Sequence, residues 1–349
     1  MSEPGKYIYG IIQANEKKSF DLIGLGDPKK EVYTVPYQNI SAVVSESPII
    51  DYQSMTKDKV VNDLFCHQLV IEKVMKDHTI IPMKFGTFAE DEKEVSKVLK
   101  TGYKQFEEAL NLISNKIELD VVALWNKEVI FKELAEEKDI KEFKEKIPSN
   151  PAGPQLNDRI KLGRMVEKSL KKKNLEYAEE VLDVLKKMAF DFCTHDTLDN
   201  TMILNSSFLL DTNKEKDFDK MLNKLDKKYE NKINFRCVGP LAPYSFSTIE
   251  VKKLRFDDID KARRTLGLGE EITLSEIKTA HRKLVFKYHP DKNPQGNPLD
   301  KEFNELTQAY QLLLEYCQSE RCSLREEDVL ESVQIKILKI AEEPERKKY

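Results

Sequence analysis

The chain has 349 residues, of which 40% are hydrophobic and 34% are charged, with 57 Lys and Arg against 61 Asp and Glu. This length excludes a single small domain, and the nearly balanced charge provides no overall field that would attract nucleic acid or anionic lipid. The sequence has neither a run of roughly 18 apolar residues nor a signal-peptide pattern at its N-terminus, which predicts a cytoplasmic protein with no membrane contact.

The first 115 residues are predicted to form an α+β domain. Three short runs of apolar, β-branched and aromatic residues, separated by Gly and Pro, are typical of strands. They lie at residues 7–12, 32–35 and 40–44. Apolar residues at helical spacing predict helices over 57–76 and 91–114. Between these helices, residues 79–88 are expected to be extended around an irregular turn.

Residues 116–250 are predicted to form a second α+β domain, of ferredoxin-like type. Apolar runs and helical spacing alternate here in the order strand, helix, strand, helix, strand, which fits that fold. The corresponding ranges are 118–125, 156–192, 202–210, 215–229 and 233–238. The three prolines of residues 148–154 predict a surface loop before the long helix.

The cysteines indicate neither a disulfide framework nor a zinc site. Their number is odd and no two have CxxC spacing, so buried thiols are expected. They are Cys66, Cys193, Cys237, Cys317 and Cys322.

The sequence carries no strong signature of an enzyme or of a nucleic-acid-binding protein. The five histidines are scattered, with no HxH or HExxH arrangement. The best catalytic candidate is CTHD at residues 193–196, but adjacent residues rarely converge on one substrate atom, so we interpret it as a polar cluster at a helix end. GLG at residues 24–26 lacks the third glycine of a dinucleotide loop, and no strand has the pattern of an RNA-binding sheet. We therefore expect no catalytic residue, metal, cofactor or nucleic-acid partner.

The region 251–318 is predicted to be a helical domain. Its clearest helix covers residues 273–288, where an apolar stripe lies beside basic side chains. The stripe comprises Ile277, Ala280, Leu284 and Tyr288, and the basic residues are Lys278, Arg282, Lys283 and Lys287. Thr273 followed by Glu276 has the form of a capping box, which predicts where this helix begins.

A sharp turn is predicted after this helix. Pro290 cannot continue it, and beyond a polar loop the apolar residues of 303–313 again have helical spacing. Two antiparallel helices would therefore join through His289-Pro290-Asp291.

The tail, residues 319–349, is predicted to be partly disordered. Residues 333–340 fit the alternation of a strand and also helical spacing, so both structures stay open for this segment. Residues 342–349 are expected to be disordered.

The sequence KYHPDKNP, between a basic helix and a helix reading KEFNELTQAYQLL, resembles the J-domain of DnaJ-type cochaperones over residues 257–316. The resemblance implies docking to a DnaK-type chaperone ATPase, stimulation of its ATP hydrolysis and delivery of a client. The residues implied in docking are His289, Pro290, Asp291, Lys278, Arg282 and Lys283. The aromatic pair usual in the first J-domain helix is absent, and His281 stands where a tyrosine is common.

Three segments of the first 250 residues resemble the gas vesicle accessory protein family F/L. They are YIYGI at 7–11, IPMKFGT at 81–87 and GPLAPYSF at 239–246. The resemblance implies an accessory protein, associated with gas vesicles, that binds the small and very hydrophobic shell protein and other accessory proteins. A shell subunit aggregates unless its apolar face and free strand edges are covered. A J-domain on the same chain would pass this client to an ATP-driven chaperone.

We expect the residues of the family motifs to be structural, forming a buried plug that closes the domain rather than a direct partner contact. These residues are Pro82, Phe85, Gly86, Gly239, Pro240, Pro243, Tyr244 and Phe246. An alternative makes the chain a minor structural component of the vesicle shell, with a J-like domain used only for interaction.

Overall fold

The computed structural model describes residues 5–147, 155–288, 298–317 and 320–338. Its first domain contains β1 (Lys6–Ile12), β2 (Val32–Tyr37), β3 (Ile40–Glu46), α1 (Lys57–Val74), β4 (Ile80–Pro82), β5 (Phe88–Ala89) and α2 (Glu92–Ile113). The strands form an antiparallel sheet in the order β2-β3-β1-β4, with β5 also paired to β1. The three predicted strands, the two predicted helices and the extended stretch between the helices are confirmed.

Strand β1 is central and is buried along its whole length. Ile8 and Ile11 pack against α2 on one face of the sheet, whereas Tyr7 and Tyr9 pack against α1 on the other. The pairing register shifts at Gly10, where an added Cβ would lie 2.7 Å from the backbone of β4. Because both faces of β1 are covered, its sequence is a continuous apolar run rather than an alternating one.

The second domain contains β6 (Lys116–Trp125), α3 (Lys127–Ala135), α4 (Lys138–Lys146), α5 (Leu156–Leu185), β7 (Asp191–Thr194), β8 (Met202–Asp211), α6 (Glu215–Lys228) and β9 (Ile233–Leu241). Its strands are antiparallel in the order β7-β8-β6-β9, and the helices share a core with one face of this sheet.

The prediction of one helix through residue 192 is wrong, because α5 ends at Leu185 and β7 follows. Residues 191–194 form backbone hydrogen bonds with β8, which lies farther along the chain. Helical spacing in the sequence could not reveal this long-range pairing.

The C-terminal region is mainly helical. It contains β10 (Thr248–Lys253), α7 (Phe256–Leu266), β11 (Glu271–Thr273), α8 (Leu274–Tyr288), α9 (Pro298–Tyr316), β12 (Arg321–Ser323), α10 (Glu326–Leu330) and β13 (Val333–Leu338). Helices α7 to α10 contribute to one hydrophobic core. β11 pairs with β12, and β10 pairs with β13. The alternative left open for residues 333–340 is therefore settled as a strand over 333–338, and residues 342–349 lie outside the described residues.

The prediction of five buried thiols is confirmed for Cys66 and Cys193 but is wrong for the other three cysteines. Cys237 is exposed, and Cys317 is joined to Cys322 by a disulfide with a Cα–Cα distance of 5.7 Å. β12 turns back after α9 to pair with β11, and this turn brings Cys322 beside Cys317. A search limited to CxxC spacing does not detect this pair.

Candidate functional site

Helix α8 presents a basic face to solvent. Lys278, Arg282 and Lys283 are exposed, and Arg282 and Lys283 follow Lys278 by about one helical turn. The helix begins at the predicted capping box: Glu276 N–H donates to Thr273 Oγ1 at 3.2 Å, and Thr273 N–H donates to Glu276 Oε2 at 2.8 Å. These reciprocal bonds satisfy backbone donors at the helix end and fix its first turn.

The opposite face of α8 holds the helix in place. Ile277 is fully buried, while Ala280 and Leu284 are half-buried against the core that α8 shares with α7 and α9. The predicted apolar stripe is confirmed for these three residues, and the side chain of Tyr288 lies outside the described residues. Packing of this stripe orients the basic residues outward.

The imidazole ring of His281 stacks on an aromatic ring of α9. The imidazole lies on the ring of Tyr310 from α9, with centroids 3.8 Å apart and planes 9° from parallel. Its Nε2 is buried without a hydrogen-bond partner among the described residues, and burial lowers the pKa of His281. The replacement of the usual tyrosine therefore retains an aromatic contact between α8 and α9.

The most specific residues of the J-domain resemblance, His289, Pro290 and Asp291, lie outside the described residues. Their role in docking stays a prediction.

The family motif IPMKFGT at residues 81–87 lies in an aromatic cluster between β4 and β5. Pro82 is buried at the end of β4, and the ring of Phe85 lies 4.6 Å from that of Tyr52 and 5.8 Å from the imidazole of His67. Gly86 has a φ of 82°, and an added Cβ would lie 3.2 Å from the Tyr52 ring. The turn between the two strands thus requires glycine at this position.

A chain of hydrogen bonds connects this turn to α1. Gly86 N–H donates to the Tyr7 hydroxyl at 3.1 Å, and this hydroxyl is hydrogen-bonded to Nδ1 of His67 at 2.9 Å. Burial lowers the pKa of His67 to about 4, although a backbone hydrogen bond at Met83 acts in the opposite direction. His67 is therefore neutral at physiological pH, and its Nδ1 is free to accept.

The family motif GPLAPYSF at residues 239–246 starts with Gly239, near the end of β9. This residue has a φ of 143°, and an added Cβ would lie 2.6 Å from Leu119 Cδ2 and 2.8 Å from the carbonyl oxygen of Glu118. The chain passes so close to β6 that no side chain fits there. Pro240, which follows, is exposed.

Residues 242–247 connect the first two domains. Tyr244 packs against the α1 side of the first domain, where its hydroxyl donates to Gln68 Oε1 at 2.6 Å. Phe246 is 5% exposed and packs with Cys193 and Leu209 of the second domain. Pro243, directly before Tyr244, is also buried.

A buried polar network ties the same connector to the second sheet. Both carboxyl oxygens of Glu118 accept hydrogen bonds from Ser245, at 2.8 Å from its N–H and 2.7 Å from its Oγ. The network continues from Ser245 Oγ to Ser207 Oγ at 3.0 Å, and Ser207 also contacts Asp120 and His195. Sequence reasoning missed this network. The signal that could have revealed it is a pair of acidic residues two apart in an otherwise apolar strand, which places both on one face.

The catalytic candidate at residues 193–196 begins on strand β7, so its interpretation as a helix-end cluster is wrong. Cys193 and His195 are two residues apart, which places them on one face of the sheet, and Sγ lies 3.5 Å from Nε2. Burial raises the pKa of the Cys193 thiol to about 11. A thiol that stays protonated at neutral pH is a poor nucleophile.

Helix α1 is apolar on two opposite sides. Its buried side contributes Cys66, Val70, Ile71 and Val74 to the first-domain core. On the outer side, Val61, Leu64, Phe65 and Leu69 are 61%, 47%, 65% and 46% exposed. We call these four residues the α1 outer face. Soluble proteins rarely expose such contiguous apolar stripes, and those that they do expose often mark interaction sites.

Within residues 5–147, 155–288, 298–317 and 320–338, no three His, Cys, Asp or Glu side chains are grouped so that they could hold a metal ion. The helices of this part of the chain are all too short or too polar to cross a bilayer.

The protein has two α+β domains, a buried connector between them and a helical region that follows in sequence. This architecture defines its class. The sequence model described as "Gas vesicle synthesis protein GvpL/GvpF" matches residues 5–248, and the chain belongs to this family. A DnaJ domain model matches residues 263–320. Both family resemblances predicted from the sequence are thereby confirmed.

Individual relatives agree with this division. Gas vesicle protein F of Haloferax mediterranei is 23% identical over 248 residues, which cover 70% of this chain and 94% of the relative. The crystal structure of the gas vesicle protein GvpF from Anabaena sp. PCC7120 aligns with a TM-score of 0.59 and 21% identity, covering 69% of this chain and 97% of that one. The chaperone protein DnaJ of Prosthecochloris aestuarii is 50% identical over 48 residues, which are 14% of this chain and 12% of that protein.

Proposed function

We propose that this protein is a non-enzymatic assembly factor of gas vesicles that binds the hydrophobic shell protein and recruits a DnaK-type chaperone through its J-domain. The observation that carries the proposal is the presence of both modules in one chain, the GvpL/GvpF region at residues 5–248 and the DnaJ domain at 263–320. A holder linked to a chaperone-recruiting module raises the effective concentration of the client at the chaperone. Other gas vesicle accessory proteins are further proposed partners, and the proposed location is the cytoplasm, in association with gas vesicles.

The α1 outer face supports the holding role. It offers an apolar stripe to the apolar face of a shell subunit, which would otherwise aggregate. The stripe lies on the solvent side of a helix whose other side is anchored in the core, so client binding needs no unfolding of the domain. We propose the α1 outer face as the contact for the shell protein.

The basic face of α8 supports chaperone recruitment. Lys278, Arg282 and Lys283 are exposed, and none of them forms an ion pair with another described residue. They are therefore available to an acidic partner surface, with the predicted His289-Pro290-Asp291 loop following the same helix. Docking would shift the conformational equilibrium of the ATPase, without covalent chemistry in this chain.

The proposal includes three finer features of the fold. We interpret the second domain as ferredoxin-like, supported by its β-α-β-β-α-β order of strands and helical segments and by its strand order β7-β8-β6-β9. We interpret α8 and α9 as the J-domain hairpin, supported by their shared core. We propose the division into domains at residues 1–115, 116–250 and 251–318, with the tail at 319–349. Separate hydrophobic cores support the three domains, although Ile249 and the tail residue Ile335 pack into the core of the first domain.

The test combines two assays on the purified full chain. One measures binding of the gas vesicle shell protein, and the other measures steady-state ATP turnover of a DnaK-type chaperone. We expect the parent chain to do both, and the variant His289→Gln to retain shell binding while losing ATPase stimulation. Failure of the parent chain in both assays would overturn the proposal. A chain that resists removal from isolated vesicles by urea would instead support the structural-component alternative.

A further inference from the structure

The last described strand, β13, belongs to the core of the first domain. Ile335 is 6% exposed and lies in the same apolar cluster as Leu99 and Phe106 of α2. Helix α2 approaches it closely at Gly102, where an added Cβ would lie 2.8 Å from Ile335 Cδ1. A segment that follows the whole helical region in sequence thus returns to the start of the molecule.

Strand β10, which pairs with β13 in a two-stranded ribbon, contacts the same domain. Lys84 N–H donates to the carbonyl oxygen of Ile249 at 2.8 Å, and Lys84 Nζ lies 2.6 Å from Glu250 Oε1. Ile249 is fully buried in the first-domain core. The strand contacts this domain through both its backbone and its side chains.

The two strands pair continuously and end opposite each other. Their antiparallel register runs from Thr248 opposite Leu338 to Lys253 opposite Val333. The chain therefore leaves this pair of strands after residue 253 and rejoins it at residue 333, directly opposite. The helical core of α7 to α10 lies between these two points in sequence. Neither sequence model accounts for this arrangement, since one ends at residue 248 and the other at residue 320.

We infer that residues 254–332, which include the DnaJ domain, are an insertion in a β-ribbon of the first domain rather than a C-terminal appendage. The helical region is held by two strand connections, which restrict its position more than one flexible linker would. β13 is a structural part of the first domain. This inference does not depend on shell binding or chaperone recruitment, so it stands or fails separately from the proposed function.

The first test uses the full chain and hydrogen exchange of the backbone amides in α2. The variant Ile335→Asp places a charge in the apolar cluster, and we expect α2 exchange to accelerate by at least about tenfold through local opening. The matched control is Lys336→Ala, on the exposed side of the same strand. We expect the control to leave α2 exchange unchanged. Unchanged α2 exchange in Ile335→Asp would overturn the inference.

A second test removes the inserted region in two ways. One variant replaces residues 254–332 by Asn-Gly, a two-residue loop suited to strands whose ends are paired. The other variant stops after Lys253, so it lacks the helical region and β13 together. We expect α2 to keep its exchange protection in the first variant and to lose it in the second. Equal exchange protection of α2 in the two variants, whether kept or lost in both, would contradict the inference. This comparison does not depend on whether Ile335→Asp folds.

Discussion

Gly86 shows how one residue in a family motif can be structural. Its positive φ and the short distance to Tyr52 leave little room for a side chain, and its N–H is the first donor in the bonds that lead to Tyr7 and His67. The motif therefore stabilises the turn between β4 and β5 and its contact with α1.

We predict that Gly86→Ala lowers the free energy of unfolding by about 1–2 kcal/mol, because alanine is strained at positive φ. Urea unfolding of the full chain measures the change. The control is Gly163→Ala in α5, where an added Cβ meets no atom within 4 Å and helix propensity improves. Equal stability of Gly86→Ala and the parent chain would show that the turn adapts without cost.

Glu118 is a residue for which burial and charge act together. It is 1% exposed, and burial together with nearby Asp120 raises the pKa of its carboxyl to about 7, although the hydrogen bonds from Ser245 act in the opposite direction. The folded chain therefore holds this proton to higher pH than the unfolded chain does. Cys193 of β7, His195 directly after this strand and Tyr244 of the connector also face this network.

We predict that the contribution of Glu118 to stability is complete below about pH 4.5 and declines as the pH rises to about 7. The loss is on the order of 3 kcal/mol. Glu118→Gln removes this titration, so the unfolding free energy of the parent chain should fall relative to that of the variant between pH 5 and pH 8. Urea denaturation at both pH values measures it. A constant difference between the two proteins would contradict the raised pKa.

Sequence reasoning recognised the motif residues but not their contacts. The φ of Gly86 follows from a turn, which Pro and Gly indicate locally. The network of Glu118, Ser207 and Ser245 joins three segments that are distant in sequence, and no periodicity within one segment reveals which residues face each other across a fold.

Helices α1 and α8 illustrate two ways in which an element offers a surface. Each buries one side in a core and leaves the other side exposed, apolar in α1 and basic in α8. Apolar association is short-range and non-directional, whereas a cationic face attracts an acidic partner over roughly a Debye length. Partner binding at the two surfaces is therefore expected to depend differently on salt concentration.

For α1 we predict that Val61→Ser with Phe65→Ser weakens shell-protein binding by about tenfold, because two exposed apolar side chains are lost from the contact. The matched control is Leu175→Ser, which removes an apolar side chain that is 62% exposed on α5. The dissociation constant is measured by titrating labelled shell protein. Equal affinity of the double variant and the parent chain would place the client elsewhere.

For α8 we predict that Lys278→Glu with Arg282→Glu reduces ATPase stimulation by about tenfold at low salt, with a smaller effect at high salt. The control is Lys216→Glu with Lys224→Glu on α6, which changes net charge equally at exposed positions of the second domain. Steady-state ATP turnover at two salt concentrations measures the effect. The same loss in both double variants would indicate a response to net charge rather than docking at α8.

At the level of elements, the sequence predicted helices and strands best where local periodicity was strong. Strands β1 and β3 and helices α1 and α2 were correct, because buried faces leave a clear apolar pattern. β7 was missed and β13 was left undecided, because each forms only by pairing with another strand: β7 with β8, the next strand along the chain, and β13 with β10, which is far away in sequence. The loop expected at residues 148–154 lies outside the described residues.

In the whole molecule, the connector at residues 242–247 couples the first two domains. Tyr244 contacts the core of the first domain, Phe246 packs in a small apolar cluster with Cys193 and Leu209 of the second sheet, and Ser245 between them is bound by buried Glu118. The family resemblance predicted that these residues are important and favoured a buried plug. The sequence could not show that Tyr244 and Phe246, two residues apart, pack against two different domains.

We predict that Phe246→Ala separates the unfolding of the two domains. Removal of the buried ring costs about 3 kcal/mol, and most of this cost falls on the contact between the connector and the second sheet. The parent chain should unfold these domains together, whereas the variant should show an additional transition at lower temperature in differential scanning calorimetry. Tyr244→Phe is the matched control, since it removes one hydrogen bond to Gln68 and keeps the ring. A single transition in Phe246→Ala, shifted as a whole, would mean that the domains are coupled mainly through contacts other than this connector.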